Sequence, residues 1–201
     1  MLKVGLTGGL ACGKSFVGRE LARLGCHLIE ADRLGHEVLL PEGEAYADVV
    51  REFGAGILND DGTIDRKHLA REVFGKPERL AELNRLVHPG VFRRERELMA
   101  EFARTDPHGI AVVEAAILIE TGNYKNFDRI ILVECAENVQ LERALEREGS
   151  NRDEVQARLS RQMPAAEKRK FAHYVIDTSG SKEDTLQSVR EIYDSLRRIE
   201  T

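Results

Sequence analysis

The sequence predicts an α/β fold: a five-stranded parallel sheet flanked by helices. Three observations lead there. Five short apolar runs bounded by glycines or acids read as strands buried on both faces: Leu2 to Leu6, His27 to Ile29, Ile110 to Val113, Arg129 to Val133 and Tyr174 to Ile176. Between them lie amphipathic stretches such as Phe16 to Leu24, Val139 to Arg147 and Leu186 to Ile199, with apolar residues three and four positions apart. Strand and helix alternate, so successive strands run parallel with helices on both faces of the sheet.

The first strand runs straight into Gly8-Gly9-Leu10-Ala11-Cys12-Gly13-Lys14-Ser15, which fits G-x-x-x-x-G-K-[ST] and opens the first predicted helix at Phe16. Strand, glycine loop and helix in that order predict the P-loop nucleoside-triphosphate hydrolase fold. The chemistry follows from the residue types. Glycines let the backbone N–H groups of the loop converge on phosphate, and the helix N-terminus adds partial positive charge. Lys14 reaches the β- and γ-phosphates of ATP, and Ser15 is placed to ligate Mg²⁺. Cys12, beside that helix N-terminus, is expected to favour thiolate, so that alkylation inactivates and MgATP protects; the competing reading is a small residue that fills space.

The second strand ends at Glu30-Ala31-Asp32. Residues 34–107 are then rich in helix with no convincing strand, and read as an insertion above the sheet. The third strand ends on Glu114, placed like an acid that holds a magnesium-bound water, although a solvated strand-end acid explains it nearly as well. Glu120, after Leu118-Ile119, carries the same ambiguity. Beyond the fourth strand, residues 137–171 form a long basic helical stretch, read as a lid. The fifth strand precedes a last helix whose start is signalled by Ser181 followed by Asp184; Asn151 followed by Glu154 gives the same signal within the lid. One domain results, with core 1–33, 108–136 and 172–201, a helical region 34–107 and a lid 137–171.

Composition narrows the function. Of 201 residues, 30 are basic and 35 acidic, a net charge of −5, so no global positive field recruits nucleic acid. Cys12, Cys26 and Cys135 are far apart in sequence, odd in number and without CxxC spacing, which argues against a disulfide framework or zinc site and for a reducing compartment. No apolar stretch approaches membrane-spanning length and no apolar leader precedes the first strand, so a soluble cytoplasmic protein without membrane partners is expected. A switch GTPase would need Asn-Lys-x-Asp, and Lys125-Asn126-Phe127-Asp128 has the wrong order. Asp32-Arg33-Leu34-Gly35 matches a loose DxxG but follows the second strand. A switch or regulatory protein, another small-molecule or nucleotide kinase and a nucleic-acid-handling ATPase remain the alternatives.

Beyond the loop, Glu30-Ala31-Asp32, Gly35-His36 and Pro41 resemble the Asp-Ala-Asp…Ala-His…Pro-Gly signature of the dephospho-coenzyme A kinases. The resemblance continues through Leu69 to Phe74, Leu86-Val87-His88-Pro89, Leu118-Ile119-Glu120, Arg158 to Pro164 and Val175 to Gly180. Departures include Glu30 for Asp, Ala11-Cys12 for Gly-Ser, Phe16 for Thr, Ala116 for Pro and Thr178 for Asn. The resemblance implies ATP-dependent phosphorylation of the ribose 3′-hydroxyl of dephospho-coenzyme A, the last step of coenzyme A synthesis, by a protein expected to be monomeric.

Roles follow, each with a plainer competitor. Asp32, just past the second strand, is expected to orient and deprotonate the acceptor hydroxyl; as a helix N-cap it would serve structure alone. Arg143 and Arg147, four apart on one helix face, are expected to meet ATP, with Arg147 stacking adenine or clamping phosphate; the competitor is ion pairing with Glu142 and Glu146. Arg158, Arg161 and Lys168 read mostly as ordinary surface. His88 is assigned by the resemblance to the acceptor side, although Pro89 also suits a first helical turn. Arg66 and Arg71 offer cations to the diphosphate of the acceptor, or simply solvate a helix.

Overall fold

A computed structural model describes residues 1–148, 152–160 and 162–199. All five expected strands form: β1 (Leu2–Gly8), β2 (His27–Glu30), β3 (Ile110–Glu114), β4 (Arg129–Glu134) and β5 (Tyr174–Asp177). They make one sheet in the order β2-β3-β1-β4-β5, and every pairing is parallel. β3 is buried at every position and β4 at all but its first, as strands covered on both faces must be. The helices are α1 (Lys14–Arg23), α2 (Ala31–Glu37), α3 (Tyr46–Phe53), α4 (Arg66–Val73), α5 (Pro77–Thr105), α6 (Glu137–Glu148), α7 (Arg152–Leu159), α8 (Ala165–Arg169) and α9 (Lys182–Arg197).

The chain divides into two compact units, Met1–Glu30 with Glu101–Thr201, and Ala31–Ala100. The first holds the sheet. On one face Leu2, Val4, Leu6, Ile110, Val112, Ile131, Val133 and Ile176 meet Val17 and Leu21 of α1 and Val189, Ile192 and Leu196 of α9. The contacts recur every three or four residues on both helices because each turns one apolar stripe to the sheet. α9 starts where its sequence signal places it: the Ser181 hydroxyl accepts from the Asp184 N–H at 3.1 Å and the Asp184 carboxylate answers to the Ser181 backbone, a complete capping box. The Asn151–Glu154 signal lies outside the described residues.

The second unit is helical, with a small core of Leu34, Val38, Val49, Ile57, Leu69 and Val91. The pairing found there among the described residues is one isolated antiparallel bridge, Leu58 with Ile64. Asp65 caps α4 by accepting from the N–H groups of Lys67 and His68 at 2.9 and 3.0 Å. Two expectations are corrected here. Pro89 does not begin a helix; it lies inside α5, whose first residue is Pro77, so its ring costs one internal hydrogen bond in a helix long enough to continue past it. Asp32 is not an N-cap, because α2 already begins at Ala31 and Asp32 sits in its first turn.

Candidate functional site

The C-terminal ends of the central strands carry the site. Gly8 ends β1 so close to β4 that a Cβ there would lie 2.1 Å from the Val133 carbonyl oxygen, so only glycine permits the approach. The loop then turns through Ala11 at φ 56°, the one non-glycine with positive φ among the described residues, a conformation that costs about 1–2 kcal/mol. Gly13, at φ 83°, delivers the chain into α1, whose N-terminus adds partial positive charge beside the loop. Lys14 folds back so that its Nζ donates to the Gly8 and Gly9 carbonyls at 3.2 and 2.9 Å.

A cavity of about 330 Å³ opens beside the loop, lined by Ala11, Gly13, Lys14, Ser15, Phe16, Arg19 and Arg143. Three cations around one small space suit a polyphosphate. Arg19 was not anticipated from the sequence; its signal is its place one helical turn beyond Ser15 on α1. Arg143 is held rigidly, donating to the Thr178 hydroxyl at 3.0 Å and the Thr178 carbonyl at 2.8 Å. The same hydroxyl donates to the Cys12 carbonyl at 3.0 Å, so Thr178 fastens the loop to the arginine. Arg147 continues the backbone of α6, but its side chain, that of Arg158 and all of Arg161 lie outside the described residues.

Ser15 donates to Glu114 Oε1 at 2.7 Å. Glu114 is buried at the end of β3, in register with Leu6 of β1 and Glu30 of β2. A hydroxyl and a carboxylate side by side next to the phosphate loop are an all-oxygen donor set, the kind Mg²⁺ prefers, so these two residues fit the metal expected of them.

The tip of the loop is held from the 137–171 segment. The Leu10 N–H donates to Gln162 Oε1 at 2.8 Å and the Leu10 carbonyl accepts from Gln140 Nε2 at 2.9 Å. Gln162 belongs to a motif noted in the sequence, whereas nothing there singles out Gln140. Lys168 corrects the surface reading given to it: its side chain is 1% exposed, and Nζ reaches Glu120 Oε1 at 2.9 Å and the Ala116 carbonyl at 2.9 Å. Glu120 is thereby a structural partner. Removing one member of a buried pair strands the other, so Lys168→Met should lower stability by about 3 kcal/mol, or roughly 6–12 °C in a thermal melt. A shift below about 2 °C would show the pair to be of no structural consequence.

Cys12 Sγ accepts from Cys135 Sγ at 3.2 Å. That hydrogen bond, aided by the charge of Lys14 against the opposing effect of burial, lowers the Cys12 thiol to about 7, while the proximity of Cys12 and burial push Cys135 up. Cys12 is only 3% exposed, so reactivity toward a bulky alkylating reagent is limited by access rather than by ionisation.

In the second unit Asp32 and Arg66 both act on His36. Burial and the Arg66 charge lower its pKa, and the Asp32 charge opposes them. Asp32, Arg66 and Arg71 are exposed. His88 is lowered by burial alone and lies 5.6 Å, centroid to centroid, from the ring of Phe92.

The dephospho-CoA kinase family model matches residues 2–184. A dephospho-CoA kinase of Aquifex aeolicus is 38% identical over 198 residues, covering 98% of this chain and 99% of that protein. A crystal structure of a Thermus thermophilus protein superposes with a TM-score of 0.79 at 32% identity, over 97% of each chain. The solved dephospho-CoA kinase of Campylobacter jejuni gives 0.73 at 25% identity, over 99% of this chain and 98% of that one.

Proposed function

Since the chain belongs to the dephospho-CoA kinase family, whose members catalyse the last step of coenzyme A biosynthesis, we propose how its own residues divide that work. The chain is a kinase, a phosphotransferase, and the switch, regulatory and nucleic-acid readings are not favoured. The observation that carries the residue assignment is the cavity lined by Lys14, Arg19 and Arg143 beside the Ser15–Glu114 pair.

In this reading ATP lies with its phosphates in the loop of residues 8–15, where backbone N–H groups and the α1 N-terminus take the charge of the non-transferred oxygens. Lys14 leaves the Gly8 and Gly9 carbonyls to follow the γ-phosphoryl group, and Arg143, fixed by Thr178, neutralises charge without reorganising. Phe16 borders the same space. Ser15 and Glu114 would hold Mg²⁺, which would offset the negative charge of the phosphate groups. Asp32 accepts the proton of the ribose 3′-hydroxyl of dephospho-CoA as it attacks. Arg66 and His88 serve the acceptor, and Arg147 completes the nucleotide clamp. Among the described residues no helix is long and apolar enough to cross a membrane; a cytoplasmic monomer acting on two small molecules fits this reading.

The test is ADP release with MgATP and a panel of acceptors: dephospho-CoA, nucleoside monophosphates and shikimate. Turnover with dephospho-CoA at least a hundredfold above every other acceptor is expected. Faster turnover with a nucleoside monophosphate or shikimate would overturn the acceptor assignment.

A further inference from the structure

The mechanism uses neither thiol beside the loop, yet the fold brings two of them together from places 123 residues apart. We propose that Cys12 and Cys135 form a dithiol oxidation site whose disulfide takes the phosphate-binding loop out of its nucleotide-binding conformation. Three features support it. The sulfurs stand 3.2 Å apart as free thiols, and a disulfide needs about 2.05 Å, so closure asks for a movement of little more than 1 Å. Cys135 follows directly on β4, whose Val133 is in register with Gly8, so the bond would tie the loop to the strand beside it. Both cysteines line a cavity of about 540 Å³ whose wall includes Gly9, Gln140, Met163 and Lys168, a route for a small oxidant to an otherwise buried sulfur.

The oxidant is a hydroperoxide, with hydrogen peroxide as the simplest case. The Cys12 thiolate attacks one peroxide oxygen; the S–O bond forms, the O–O bond breaks, and the departing hydroxide takes a proton as the first water. The Cys135 sulfur then attacks the Cys12 sulfenic sulfur. The S–S bond forms, the S–O bond breaks, and hydroxide leaves with the Cys135 proton as the second water. Two thiols lose two electrons in all, and one peroxide becomes two waters.

The consequence for nucleotide lies in the backbone. The Cys12 carbonyl accepts from Thr178, and Gly13 and Lys14 come next in the chain. Pulling Cys12 toward β4 therefore shifts the N–H groups that must converge on phosphate, and a misplacement of about 1 Å in such a site costs on the order of 10²-fold. Cys26 is an internal control: burial pushes its thiol up to about 12.

The experiment treats the whole chain with stoichiometric hydrogen peroxide, then maps non-reduced peptides by mass spectrometry and measures MgATP binding by calorimetry. A peptide joining Cys12 to Cys135 should appear, two mass units lighter than the sum of its parts, with Cys26 still a thiol. MgATP affinity should fall at least tenfold and return with dithiothreitol, and MgATP bound beforehand should slow the cross-link. Cys135→Ser should keep reduced-state turnover within about twofold of the parent and form no internal cross-link. Peroxide-treated protein without the joined peptide, or with it and unchanged MgATP affinity, would overturn the proposal. The effect on nucleotide rests on residues 8–15 being the ATP loop, and reduced protein that binds no MgATP would instead count against that reading.

Discussion

Lys14→Ala should lower kcat/KM by about 10²- to 10³-fold, the loss seen when one preorganised charge-stabilising donor is removed from a transition state. The melting temperature should stay within about 2 °C. The two effects separate because Lys14 is only half-buried and its Nζ donates to the Gly8 and Gly9 carbonyls of a loop that Gln140, Gln162 and Thr178 hold as well. Lys14→Arg should not rescue: a planar fork cannot follow the γ-phosphoryl group through the space a slim ammonium occupies. Coupled ADP release with saturating MgATP and dephospho-CoA, beside a thermal melt, reads both quantities. Unchanged turnover in Lys14→Ala would remove the phosphate assignment of the whole loop.

Asp32→Asn should cut turnover by roughly 10²- to 10⁴-fold, the range for a positioned acid or base, with MgATP affinity nearly unchanged. Asn matches Asp in shape but accepts no proton. The placement of Asp32 in the first turn of α2 sharpens the comparison. A purely structural acid there contributes only its interaction with the helix dipole, about 0.3–1 kcal/mol, so Asn would leave activity near that of the parent and lower the melting point slightly. Glu30→Gln is the control. Glu30 ends β2 in register with Glu114, close in sequence to Asp32; a larger loss there would transfer the role of base to Glu30. Single-turnover kinetics with dephospho-CoA distinguish a slowed chemical step from weakened acceptor binding.

The parts legible in the sequence were those whose signal lies within a few consecutive residues. Strand β3 is an unbroken apolar run up to its final Glu114, and the 3.6-residue stripe of α9 begins at its own capping box. The loop is a single eight-residue pattern, and because glycine is the only residue that fits at Gly8 and suits Gly13, its conformation is written in its composition. Pro89 misled because a proline ring reads as a helix start unless the helix around it is long enough to bear the missing hydrogen bond.

Whether Lys168 faces water or a carboxylate is invisible in its helix, where charged Glu167 and Arg169 flank it; Glu120 and the Ala116 carbonyl, about fifty positions earlier, bury it. Thr178 and Cys12 are 166 positions apart, and Cys135 and Cys12 are 123 apart. Each pair meets because β1, β4 and β5 lie side by side in parallel register, so that the residues just past their ends crowd one edge of the sheet. From the amino-acid order alone came the strands, the phosphate loop and the family, since local hydrophobic period and turn chemistry are properties of neighbours in the chain. Which cations line the loop's cavity, which acid meets Ser15 and which thiol meets Cys12 were decided by tertiary structure, because contacts at a parallel sheet edge depend on strand order and register, and neither is encoded in any one segment.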